Sequence, residues 1–226
     1  MSRVLAVDIE TVPTTDGTDF DDPTAWEIFA IAVAFRSGHA SPVQSTVFVR
    51  EGDTRRDERR LLAQLTNWVR DHDPLDAVLT YNGDEFDLPI IAERADAVMR
   101  SDVHHEGTLS FALYDALDVP HRDLFAELRE GMGDDEKWPT LDEALTERGI
   151  QMSEPELDGE AVVGMDMPDL GRSVLDGSIT ANEREAVVRY AESDVRPLFE
   201  LADALDRERR SGAEADAVTD GGGDAA

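Results

Sequence analysis

The chain has no cysteine, a single lysine (Lys137), only 6% aromatic residues and no apolar run of membrane-spanning length. Without cysteine there can be no disulfide and no thiolate metal site. Any metal must then sit on carboxylates, histidines or backbone oxygens, a donor set that favours Mg²⁺, Mn²⁺ or Ca²⁺. The opening MSRVLAVDIE interrupts its short apolar run with a charge too early for a signal peptide. The expectation is a soluble, cytoplasmic protein with no membrane partner.

What is abundant is acid. Against 21 Lys and Arg stand 51 Asp and Glu, for a net charge of −30. Such a surplus ordinarily argues against nucleic-acid partners. In a cytoplasm filled with molar salt, however, acidic and lysine-poor surfaces hold water and cations well. At about 1 M salt the Debye length is only about 3 Å, so a partner scarcely senses the global charge. The charge then reports a halophilic habitat rather than a substrate. A hydrophobic fraction of 41% supports a core, and 226 residues suit one α/β domain.

Apolar periodicity divides the chain. RVLAVDIET (3–11), WEIFAIAVAFRSG (26–38) and QSTVFVREG (44–52) read as three strands, the last two joined by a Gly/Ser/Pro link and all three antiparallel. DERRLLAQLTNWVRDHDP (57–74) has Leu61, Leu62, Leu65, Trp68 and Val69 on one helical face. DAVLTYN (76–82) is a short buried strand, and DLPIIAERADAVM (87–99) a helix with Pro89 in its first turn. ALDVPHRDLFAELRE (116–130) predicts a short strand and then a helix. TLDEALTERGI (140–150) predicts a helix with a Thr140–Glu143 capping box. Residues 153–178 read mostly as loop, with a short helix near LGRSVL. Residues 180–210 read as one long helix or two broken near Pro197. The domain is expected over 1–210, followed by a disordered acidic tail over 211–226. His104, His105 and His121 read as loop or surface residues.

Three groups of acids stand out, and each has a bland explanation. VDIET puts Asp8 and Glu10 two apart on a strand, on one face and roughly 7 Å apart along the chain. They could be solvated acids at an exposed strand end. YNGDEFD puts Asp87 after a strand end and at a helix start, where an aspartate is commonly an N-cap. YAESD puts Tyr190 and Asp194 four apart on a helix face, where the tyrosine could be core and the aspartate its solvated neighbour. Arg189 and Arg196 beside them read as surface ion-pair partners.

Taken together and in this order, the three groups resemble the DEDD superfamily of 3′–5′ exonucleases, in the subgroup with tyrosine in its third motif. The nearest likeness is to the proofreading exonuclease domain of family B DNA polymerases, whose first motif also reads D-I-E-T and whose second takes the form Y-N-G-D-x-F-D. The likeness spans about residues 3–205. It implies a ribonuclease H-like α/β fold: a mixed sheet of three antiparallel strands and then parallel strands, with helices on both faces. It implies two divalent cations, Mg²⁺ or Mn²⁺, held by Asp8, Glu10, Asp87 and Asp194. Asp8 would touch both ions, Glu10 and Asp194 the more tightly held one, and Asp87 would act mostly through water. One ion would activate a water and the other stabilise the leaving 3′ oxygen. Tyr190 would orient the attacking water. The Thr11 backbone, Asn82 and Phe86 would meet the terminal nucleotide, with Phe86 equally able to pack in the core. The implied substrates are single-stranded DNA or RNA 3′ ends, DNA ahead of RNA, with a replication or repair protein as a possible partner. No polymerase-like acidic pair follows Asp194, so a freestanding exonuclease, or one serving another protein, is expected. Two alternatives stay open: an endonuclease on the same fold, and a non-catalytic binding module of a replication or repair assembly. A Ca²⁺-binding protein would need a D-x-D-x-D-G loop, which the sequence lacks.

Overall fold

A computed structural model of the chain describes residues 2–15, 19–99, 119–130, 132–133 and 137–220. Five strands form the main sheet: β1 (Arg3–Pro13), β2 (Trp26–Ser37), β3 (Gln44–Val49), β4 (Ala77–Thr80) and β5 (His121–Asp123), in the order β3-β2-β1-β4-β5. β1, β2 and β3 are antiparallel, while β4 joins β1 and β5 joins β4 in parallel. This is the mixed sheet of the ribonuclease H-like fold expected above. β1 lies at the centre because it is apolar on both faces, and it is where antiparallel pairing gives way to parallel.

Helices cover both faces. On one side, α1 (Arg55–Asp71) and α2 (Asp87–Met99) bury Leu61, Leu62, Leu65, Ile90 and Ile91 against Val7, Ile9, Ile31 and Val33. On the other, α6 (Ala181–Val195) and α7 (Leu198–Asp220) bury Ala191, Val195, Leu198 and Phe199 against Ala6, Ala32 and Ala34. The alternating side chains of β1 and β2 thus feed two different cores. The break between α6 and α7 falls at Pro197, which cannot continue the helix. Thr54 caps α1, and Thr180 with Glu183 forms a capping box on α6. Short helices α3 (Leu124–Arg129) and α4 (Leu141–Glu147) follow β5, the latter with the expected Thr140–Glu143 box.

The structure departs from the sequence expectation in two stretches. Residues 153–178 are not mostly loop. They hold a two-stranded hairpin, β6 (Glu156–Leu157) with β7 (Glu160–Ala161), and then α5 (Met167–Asp176). Asp158 and Gly159 both adopt positive φ (54° and 87°), as a type I′ hairpin turn requires. α5 lies close on the sheet because Gly171 has no side chain; a Cβ there would sit 2.5 Å from Val12 and 2.6 Å from Phe29. Helix α7 continues past residue 210 to Asp220, through a run in which Ala213, Ala215 and Ala217 favour helix although Gly212 does not. No helix among the described residues is long and apolar enough to cross a membrane.

Candidate active site

Asp8 and Glu10 project from the same face of β1, near its carboxyl end. Directly opposite them on β2 stand Ala32 and Ala30, so their cross-strand neighbours are methyl groups. The register shifts between Glu10 and Thr11, a bulge of the kind that re-aims side chains at the rims of sheets. Helix α6 packs over the same face and brings Asp194 and, one turn earlier, Tyr190. One carboxylate oxygen each from Asp8, Glu10 and Asp194 lie within 4.8 Å of one another.

Asp87 arrives from the opposite layer, as the first residue of α2. Its Oδ1 accepts the Ile9 backbone N–H at 3.0 Å, between the two acids of β1. This aspartate therefore does more than start a helix: it ties the α2 N-terminus to a strand 78 residues away. It stands outside the group of three but close enough to act on their charge.

That electrostatic pressure is strong. Burial first, then Asp87, Glu10 and Asp194, push the Asp8 carboxyl well above its usual range. Burial first, then Asp194 and Asp87, do the same to Glu10. Burial, helped by Asp87, raises Asp194 to about 7. Burial also raises Asp87 to about 7, against the pull of the Ile9 amide. Lost hydration and like charge both disfavour the ionised forms. Among the described residues no arginine, lysine or histidine pairs with any of the four. Glu10 Oε1 is buried with no hydrogen-bond partner, an acceptor stripped of water and given nothing in return. Clustered hard oxygen donors, an orphaned buried oxygen and no cationic side chain fit a divalent cation.

Tyr190 faces the same acids. Burial, then Asp194, Glu10, Asp8 and Asp166, push its hydroxyl above the ordinary phenol range, so it stays protonated. Behind it passes the segment after the hairpin: a Cβ on Gly164 would lie 3.1 Å from Tyr190 Oη. An open cleft of ≈ 920 Å³ runs past Tyr190, bounded by residues 149–155 and 161–164.

The turn that carries Asp87 is unusual at both of its central residues. Asn82, not Gly83, takes the left-handed conformation (φ 65°), which asparagine tolerates better than most side chains. Gly83 is needed for a different reason: a Cβ there would fall 2.5 Å from the Thr80 side chain. Asn82 Oδ1 is buried without a hydrogen-bond partner. Phe86 is half-buried, edge-on to Trp26 with ring centroids 5.3 Å apart and 5.8 Å from Phe20, which is 70% exposed. Thr11 is half-buried, one residue past Glu10.

Arg189 pairs with Glu185, and Arg196 with Glu192 at 3.2 Å, both on their own helix. His121 is not a loose surface residue. It lies on β5 with Nε2 2.8 Å from Thr80 Oγ1 and Nδ1 2.8 Å from Asp84 Oδ1. His104 and His105 lie outside the described residues.

Residues 1–111 match the family model described as DNA polymerase family B, exonuclease domain. The match is to an exonuclease domain, the enzyme class that the motifs imply. It contains Asp8, Glu10, Asn82, Phe86 and Asp87 and ends before Tyr190 and Asp194. No curated protein matches the sequence. Similar solved structures include E. coli exonuclease I in complex with a 5cy-dA13 oligonucleotide, at TM-score 0.48 and 16% identity over 92% of this chain and 41% of that one. They also include an ExoI/SSB-Ct complex, at 0.48 and 16% over 91% and 41%. Cell-death related nuclease 4 (CRN-4) is similar at 0.39 and 12% over 76% and 64%. The chain spans less than half the length of the exonuclease I chains it matches.

Proposed function

We propose that the protein is a divalent-cation-dependent 3′–5′ exonuclease that releases nucleoside monophosphates from single-stranded 3′ ends. The observation that carries this reading is the convergence of Asp8, Glu10 and Asp194 within 4.8 Å, beside Asp87 and Tyr190, with no cationic side chain among the described residues to balance them. The match of residues 1–111 to a DNA polymerase exonuclease domain puts DNA ahead of RNA as substrate.

Asp8, Glu10 and Asp194 would hold Mg²⁺ or Mn²⁺, with Asp87 set back behind them on its Ile9 hydrogen bond. When bound, the ions supply Lewis acidity towards a phosphodiester and offset the repulsion among the carboxylates. Burial is the first of the causes that push the Tyr190 hydroxyl above the ordinary phenol range, so its role is to donate a hydrogen bond that orients the attacking water, not to act as a base. The buried, unpartnered Asn82 Oδ1 is an acceptor for the terminal nucleotide, and Phe86 offers a half-buried ring beside it. The cleft that Tyr190 lines would guide a single strand towards the acids beside that tyrosine. The acidic surface is compatible with a polyanionic substrate at molar salt, where screening leaves only contact-range charge.

The test is digestion of end-labelled single-stranded DNA and RNA at molar KCl with Mn²⁺ or Mg²⁺. The expected result is monomer release from the 3′ end, DNA faster than RNA, falling about a thousand-fold or more (~4 kcal/mol) in Asp8→Ala. Internal cuts would transfer the assignment to an endonuclease. Equal activity in both proteins would refute the site.

A further inference from the structure

Strand β5 is only three residues long and lies at the sheet edge, yet all its side chains are engaged. Arg122 turns towards α7, pairing with Asp206 at 3.0 Å and with Glu127 at 2.6 Å. His121 and Asp123, two residues apart and so on the same face, turn towards the segment 81–86. Asp123 is 6% exposed. Its Oδ1 accepts the Asn82 N–H at 2.9 Å, and its Oδ2 accepts the Asp84 N–H at 2.9 Å. The same Oδ1 caps α3, accepting from Phe125 at 2.9 Å and Ala126 at 3.3 Å. Between the two held amides, Gly83 presses on Thr80, and His121 bridges Thr80 and Asp84. The turn is thus gripped on both sides, with Asn82 at its start and Asp87 just beyond it.

We propose that Asp123 is a positioning residue for the hydrolysis. By fixing the backbone at Asn82 and Asp84 it sets where Asp87 enters the carboxylate group and where the Asn82 side chain meets the substrate. This rests on the exonuclease reading. The plain alternative is that Asp123 only caps α3, a role that the same bonds to Phe125 and Ala126 would serve without any bearing on the turn.

Asp123→Asn separates the two roles. Its carbonyl oxygen can keep the cap and the Asn82 bond, since asparagine caps helices about as well as aspartate. Its amide group then stands where Oδ2 was and faces the Asp84 N–H, donor against donor. Asp123→Ser keeps a capping oxygen on a shorter side chain and loses both bonds to the turn. Expected in the full chain are near-wild-type melting temperatures for both variants. kcat should fall about ten- to a hundred-fold while KM stays within about two-fold, because a misplacement on the order of 1 Å costs about that much rate. Amide exchange measured without metal should quicken at Asp84 in both variants and at Asn82 in the serine variant, with Phe125 and Ala126 still protected. Unchanged kcat, or unchanged exchange at Asp84, would overturn the proposal and leave Asp123 a helix cap. Should the wild type release no 3′ nucleotides, the nuclease reading falls together with the catalytic half of this proposal, while exchange at Asp84 still decides whether Asp123 holds the turn.

Discussion

Two buried groups of acids flank the same sheet and are treated in opposite ways. Glu58 on α1 is 2% exposed and fully answered: Arg94 meets it with two hydrogen bonds, at 2.5 and 2.7 Å, and the buried Arg50 lies 4.0 Å away. Glu10 is nearly as buried, at 8%, yet its neighbours are Asp8, Asp87 and Asp194, and one of its oxygens has no partner at all. Arginines stand around Glu58, Glu27, Asp203 and Asp206, but among the described residues none stands at the four clustered acids. The difference separates structure from chemistry. Where a buried acid only has to be tolerated, a guanidinium neutralises it permanently. At the proposed cation site the position opposite is left clear, and the folded state carries the repulsion.

The largest test of this contrast removes the answered acid. Glu58→Gln leaves Arg50 and Arg94 without their shared carboxylate and should destabilise the fold by about 3–5 kcal/mol, read by chemical denaturation. Nuclease activity per folded molecule should not change; a selective loss of activity would mean that the two groups are not independent. Next in size is Tyr190→Phe, which keeps the ring and deletes the hydroxyl that lies beside Gly164. kcat should drop about ten- to a hundred-fold, as for loss of one positioned hydrogen-bonding group. The alkaline side of the wild-type pH profile should show no inflection from Tyr190 in the ordinary phenol range, because burial pushes its hydroxyl up. A phenol-like inflection would sink the donor role.

The smallest effect concerns stability without metal. Asp87 and Asp194 hold their protons to about pH 7, against ordinary carboxylate values near 4. Between those limits the folded protein binds more protons than the unfolded chain, so stability falls as pH rises through that window. In EDTA and molar KCl the melting temperature should be lower at pH 8 than at pH 5.5, and Mg²⁺ should restore more of it at pH 8. Glu10→Gln removes one of the repelling charges. It should raise the metal-free melting temperature at pH 8 by about 2–4 °C and blunt the Mg²⁺ response. A variant that melts lower than wild type in EDTA would show that Glu10 has a stabilising partner.

Much of the architecture could be read from period and punctuation. The long strands β1 and β2 and helix α1 carry strong patterns, and capping threonines mark the starts of α1 and α6. The hairpin of residues 156–161 escaped because its strands are two residues each, too short for any alternation to register, although Asp158–Gly159 is a good type I′ signal. The D-x-E pair was legible because two acids in a run of Val, Leu and Ile have few other uses. Asp87 was ambiguous by itself. An aspartate before a helix normally binds its own helix's amides, and the bond to Ile9 exists only in the folded chain. The grip of β5 on the turn was illegible for the same reason, since D-L-F-A reads locally as a capped helix start, and that is true as far as it goes.

The alanines opposite Asp8 and Glu10 have a last consequence. Ala30 and Ala32 are fully buried positions at which larger aliphatic residues would pack more surface and strengthen the sheet. Selection for thermal robustness alone would enlarge them, and the added methyl groups would grow into the space the acids need. The sheet therefore keeps a thin spot at its centre, and a redesign that thickened it would gain endurance at the expense of turnover.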